Sequence, residues 1–208
     1  MITPSKEFWD IFRSTDGALS CTEAVAIMNL AAQAPNGIRI EFGTFHGKSA
    51  LSAATSFKDG WFCLVDPLFS DTMLSTKVVS DVYSMANNVS IKAIDDYSTN
   101  VIKRFGKLSY VFVDSGSHQD GLPMQEVKLL EDMVVDGGII AFHDWNSQFK
   151  EVKEASDYLV STGKYEYIPI NWQEIIAYVN ENNLEEGNLS WHHNELRNPC
   201  FIGAVKRK

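Results

Sequence analysis

The sequence predicts an open α/β fold: a mostly parallel, doubly wound sheet with helices on both faces. Short apolar runs alternate with amphipathic stretches along the chain, as in strand-helix-strand units. The runs end on acids or histidine, at Glu41, Asp66, Asp114 and His143-Asp144, as parallel strands aiming their carboxyl ends at one cleft would. At 208 residues, without a visible repeat, the chain fits one domain, with residues 1–36 as a helical cap on a core of residues 37–208.

Each element has its own signal. Thr3-Pro4 starts a helix through Phe12, since proline suits the first helical position. Ser20 and Glu23 make a capping box for a helix over Thr22–Ala34, which Pro35-Asn36-Gly37 ends. GIRIEF (37–42) is the first strand and Lys48–Ser56 the helix after it. WFCLVD (61–66) is the second strand. Asp71–Ala86 is helical, with Met73, Val78, Val82 and Met85 near helical spacing. Val89–Ile94 is the third strand, Thr99–Phe105 a short helix and Tyr110–Asp114 the fourth strand. Leu122–Val134 is a helix entered through Pro123. Gly137-Gly138 turns the chain into a fifth strand, Ile139–His143. A helix over Gln148–Val160 and a strand over Tyr165–Ile170 follow. IIAYV (175–179) reads equally as strand or buried helix. Residues 180–198 read as polar loop, and Phe201–Val205 as a seventh strand. The terminal runs are expected to form an antiparallel edge.

A net charge of −9 disfavours nucleic acid or an anionic membrane as partner. Cys21, Cys63 and Cys200 are odd in number and widely spaced, and no run approaches the ~20 apolar residues of a membrane span. With no signal-peptide layout at the N-terminus, these features predict a reduced, cytoplasmic protein. A homodimer is expected from size alone.

EFGTFHGKSALS (41–52) poses the functional question. A phosphate loop needs four residues between its glycines, and Gly43 and Gly47 enclose three: Thr44, Phe45 and His46. A dinucleotide turn needs glycine where Phe45 stands. S-adenosylmethionine carries no phosphate and fits better. Glu41 would pair with its ammonium, and N–H groups of the turn and of the helix start near Ser49 would meet its carboxylate. Asp66 would take the ribose hydroxyls, and Asp96 and Ser98 would lie at the adenine edge. Lys48 reads as a solvated first-turn residue.

Four segments in order, RIEFGTFHGKSAL, FCLVDP, YVFVDSGSHQDG and LLEDMVVDGGIIAFHDWN, resemble class I S-adenosylmethionine-dependent methyltransferases. Within that class they resemble the small-molecule enzymes grouped with macrocin O-methyltransferase and cephalosporin hydroxylase. The resemblance implies a Rossmann-like fold, O-methylation of a small-molecule acceptor and cofactor contacts that include Asp114. It also implies a divalent cation, Mg²⁺ or Mn²⁺, on Asp114, His143 and Asp144. His118, of ordinary pKa near neutrality, is the expected general base, with Asp114 beside it. Three readings stay open beside this one: a metal-dependent oxygenase on the same scaffold, a P-loop-like kinase and a binding module without chemistry. Trp145, Trp172 and Trp191 are candidates for an acceptor pocket or for core. His192-His193, with Glu195 and Cys200, reads as surface.

Overall fold

The computed structural model describes residues 2–86, 88–116, 118, 120–184 and 201–208. Its sheet is seven-stranded, in the order β3-β2-β1-β4-β5-β7-β6. The strands are β1 (Ile38–Phe42), β2 (Gly60–Val65), β3 (Val89–Ile94), β4 (Leu108–Val113), β5 (Val134–Phe142), β6 (Tyr165–Tyr167) and β7 (Gly203–Arg207). Strands β1 to β5 pair in parallel, and β7 lies antiparallel between β5 and β6. This is the doubly wound sheet with an antiparallel edge that the alternating pattern predicts.

The helices are α1 (Lys6–Ser14), α2 (Cys21–Ala31), α3 (Lys48–Ala54), α4 (Thr72–Met85), α5 (Ser98–Val101), α6 (Leu122–Leu130), α7 (Lys150–Ser161) and α8 (Trp172–Glu181). Strand side chains alternate between two cores. Phe62, Leu64, Tyr110 and Phe112 face the one built with α1 to α4 and α8. Cys63, Val65, Val111 and Val113 face the one built with α5 to α7. Parallel strands buried on both faces need such continuous apolar runs.

Several local expectations need correction. Ser5, not Thr3, caps α1, its hydroxyl accepting from Phe8 N–H. The glycine pair does not precede β5 but lies within it. Gly137 takes a positive φ of 75° and the register with β4 shifts there, so the pair makes a bulge. IIAYV is helical, within α8, where Ile175 and Val179 share the buried face at i, i+4 spacing. The partners of β7 are therefore β5 and β6. Residues 185–198 of the expected polar loop lie outside the described residues, as do Trp191, His192-His193, Glu195 and Cys200. Among the described residues no helix is long and apolar enough to cross a membrane.

The topology places the site. From β1 the chain moves outward to β2 and β3, then returns to β4 on the other side of β1. The carboxyl ends of β1 and β4 therefore flank the switch point, where open α/β sheets bind ligands.

Candidate active site

A cavity of about 610 Å³ opens at this switch point. Of the predicted cofactor residues, Gly43, Thr44, Phe45, Ser49, Asp66, Asp96, Ser98 and Asp114 line it, and so do His118, His143 and Asp144. Residues from five strand ends thus converge on one space.

The β1–α3 turn is held closed from within. Gly43 and Thr44 donate their N–H groups to Val65 O at 3.0 and 3.4 Å, Phe45 donates to Asp66 Oδ2 at 2.7 Å, and Gly47 donates to Thr44 O at 2.8 Å. Four of the amides expected to meet a cofactor carboxylate are therefore engaged inside the protein. Gly47 does not line the cavity. Its φ is 84°, and a Cβ there would stand 2.7 Å from Val78 Cγ1, so this glycine lets the turn pack on α4.

Glu41 also departs from its expected place. It is fully buried behind the cavity wall, where its Oε1 accepts from the Ser49 hydroxyl at 3.0 Å. Burial pushes its carboxyl well above the usual range. Ser49, not Glu41 itself, lines the cavity. Lys48 is 5% exposed and not solvated. Its Nζ donates to Gly17 O at 3.4 Å and lies 4.5 Å from the Phe12 ring centroid, beneath the α1–α2 connection.

Asp66, at the end of β2, is a fixed carboxylate. Oδ2 accepts from Phe45 N–H, and Oδ1 accepts from Leu68 N–H at 2.8 Å. Each oxygen keeps a lone pair for a ligand. Asp96 is held by Tyr97 N–H, the Asn100 amide and Arg104, and these hydrogen bonds lower its pKa.

Beyond β4 and β5, Asp114, His118, His143 and Asp144 form one cluster whose candidate ligand atoms all lie within 4.8 Å of one another. Asp114 Oδ1 is 3.1 Å from His118 Nε2 and 3.2 Å from His143 Nδ1. Asp144 Oδ2 is 3.3 Å from His118 Nε2 and 3.5 Å from His143 Nδ1. His118 and Asp144 reach these positions on positive φ, 54° and 55°. Atoms that share an ion at about 2.0–2.3 Å lie roughly 3–4.5 Å apart, so two carboxylates and two imidazoles fit a divalent cation. Nitrogen donors favour Mn²⁺, Fe²⁺ or Zn²⁺ over Mg²⁺.

His118 is the fourth member of this cluster and does not stand apart as a base of near-neutral pKa. Burial disfavours its charge, but hydrogen bonds to Asp114 and Asp144 outweigh burial and push its pKa up to about 9. Burial would raise Asp114, yet the two imidazoles hold it at about 2. Glu126 lies behind the cluster, hydrogen-bonded by the Ser115 hydroxyl, with burial raising its pKa to about 7.

The N-terminal cap, expected over the pocket, supplies wall residues that no sequence signal singles out. Asp16, Gly17, Ala18 and Leu19 line the cavity, which gives the N-terminal cap a direct place in the site. Trp145 and Trp172 are half-buried, pack against the two cores and do not line the cavity; Trp145 donates to the Ser156 hydroxyl at 2.7 Å.

No protein-family model matches the chain, and no curated protein matches it in sequence. Solved structures do. The O-methyltransferase TomG from Streptomyces achromogenes, involved in tomaymycin synthesis and solved with SAM, superposes with a TM-score of 0.66 at 12% identity, over 100% of this chain and 92% of TomG. This chain shares its fold with that O-methyltransferase. An O-methyltransferase from Bacillus cereus in complex with SAH gives a TM-score of 0.63 at 10% identity, over 99% of this chain and 93% of that one. An rRNA methylase from Streptococcus thermophilus gives 0.56 at 11% identity, over 92% and 99%. One scaffold thus serves enzymes that differ in acceptor, and what this chain does must come from its own site.

Proposed function

We propose that this protein is an S-adenosylmethionine-dependent methyltransferase that methylates an oxygen of a small molecule, with a divalent cation held by Asp114, His118, His143 and Asp144. The observation that carries the reading is the charge of the cavity. Five acids line it, Asp16, Asp66, Asp96, Asp114 and Asp144, against Lys48, His118 and His143, and Lys48 turns its ammonium to Gly17 and Phe12. Such a wall suits a ligand bearing a sulfonium and an ammonium and opposes a triphosphate. The same acids, with a net charge of −9, favour a small acceptor over RNA. The segments YVFVDSGSHQDG and GGIIAFHDWN support the macrocin and cephalosporin-pathway branch of the class.

Bound here, S-adenosylmethionine supplies a methyl group on a positively charged sulfur. The chain's task is mainly alignment and exclusion of water. Asp66, fixed by two backbone amides, orients the ribose, and Asp96 and Ser98 stand at the adenine edge. Glu41 holds the Ser49 hydroxyl at the amino-acid end. The four-residue cluster holds a cation whose charge favours the ionised form of an acceptor hydroxyl. Imidazoles must give up their protons to ligate, so cation binding and the raised histidine pKa values oppose each other.

Asp66→Ala is expected to weaken S-adenosylmethionine binding by about 1–3 kcal/mol, the scale of lost hydrogen bonds to a charged group. Titration calorimetry on both proteins measures this, and equal affinities would remove the ribose role. The two-histidine set also suits iron, which is what the oxygenase reading would use. Oxygen-dependent turnover with no need for S-adenosylmethionine would support that reading instead.

A further inference from the structure

Glu23 sits in the first turn of α2, fully buried. Its Oε2 closes the capping box, accepting from the backbone N–H and the hydroxyl of Ser20, both at 3.0 Å. Its Oε1 faces elsewhere. It accepts from Phe201 N–H at 3.2 Å and stands 3.7 Å from His143 Nε2. That nitrogen is buried with no hydrogen-bonding partner, while Nδ1 of the same ring points at Asp114 and Asp144. A neutral imidazole carries its proton on one nitrogen and offers a lone pair on the other. A carboxylate facing Nε2 favours the proton there and leaves Nδ1 free toward the cluster.

We propose that Glu23 is a positioning residue for the cation site, holding His143 as the Nε2–H tautomer so that Nδ1 ligates. The inference rests on the reading of the cluster as a divalent-cation site. Carboxylates and carbonyls commonly orient ligating histidines in this way from behind. Glu23 also ties the ligand ring to the N-terminal cap and, through Phe201, to the segment entering β7. A residue legible in sequence only as a helix cap thereby acquires a role in the site.

The variant Glu23→Gln separates the two roles. Glutamine serves equally in a capping box. Its single amide oxygen is claimed by the two Ser20 donors, so its NH₂ faces His143 Nε2 and also Phe201 N–H, which loses its acceptor. Two facing donors favour the opposite tautomer, with the proton on Nδ1. Zn²⁺ titration of the full chain is expected to show affinity lowered by about 10–100-fold in Glu23→Gln, with the helical circular dichroism retained. In Zn²⁺-loaded wild-type protein, ¹⁵N-histidine spectra are expected to show His143 metallated at Nδ1 and protonated at Nε2. This second measurement does not depend on the folding of the variant. Equal Zn²⁺ affinity in the two proteins, or Zn²⁺ on Nε2 of His143, would overturn the inference and leave the cation reading standing. A wild-type chain that binds no Zn²⁺ would overturn both.

Discussion

Asp114→Ala is expected to lower methyl transfer by at least about a hundredfold and to abolish divalent-cation binding. Asp114 Oδ1 is the hub of the cluster, within 3.2 Å of both imidazoles. Without a cation the same change unbalances a buried set of charges. Removing one partner of such a set costs about 3–5 kcal/mol, because the other is left charged and desolvated. The pH dependence has a defined sign. The pKa of His118 is raised to about 9, so its contribution is complete below its ordinary value of about 6.5 and is lost as pH rises through 9. Asp114 is depressed to about 2, so its contribution is present above its ordinary value of about 3.9 and is lost as pH falls through 2. The stability gap between wild type and variant should be widest from about pH 4 to 6.5 and should narrow toward pH 9. Urea unfolding in EDTA across that range measures the gap. A gap that does not vary with pH would contradict the assigned charges.

Gly43→Ala carries the second large effect. Gly43 adopts φ 78°, and an added Cβ would stand 2.1 Å from the carbonyl oxygen of Asp114 and 2.8 Å from Ser115 Cα. Both obstacles are backbone, so neither can rotate away. Left-handed strain in a residue with a Cβ and forced overpacking together cost about 2–5 kcal/mol. Relief requires the turn after β1 and the end of β4 to separate, and that separation moves Asp114 out of the cluster. Loss of stability and loss of cation binding should therefore appear together. Gly106→Ala is the control, since nothing lies within 4 Å of a Cβ there. It should stay within about 0.5 kcal/mol of wild type. A Gly43→Ala protein as stable as this control would mean that the two strand ends do not meet as described.

What the sequence makes legible, and what it hides, follows from the range of each signal. The strands are readable because parallel strands buried on both faces must be continuously apolar. The capping box at Ser20 and Glu23 is readable because its spacing is local. The strand-end acids are readable because topology alone carries them to one edge. Gly137-Gly138 misleads because a bulge and a turn both need a residue of positive φ, and only pairing with β4 tells them apart. Lys48 reads as solvated because its burial depends on the α1–α2 connection, remote in the chain. His118 reads as a base of ordinary pKa because the two carboxylates that raise it come from the ends of different strands. Glu41 sits among acids that the pattern does find, but its burial, which raises its pKa, depends on how deep β1 lies. Glu23 is hidden for a related reason: its second carboxylate oxygen meets residues far along the chain.

A crystal structure with S-adenosylhomocysteine is expected to show the nucleoside in the cleft between the ends of β1, β2 and β4, with both ribose hydroxyls on the Asp66 carboxylate and the sulfur facing the Asp114 cluster. A ribose turned away from Asp66, or a soaked triphosphate seated against Lys48 in place of that nucleoside, would contradict the proposed function.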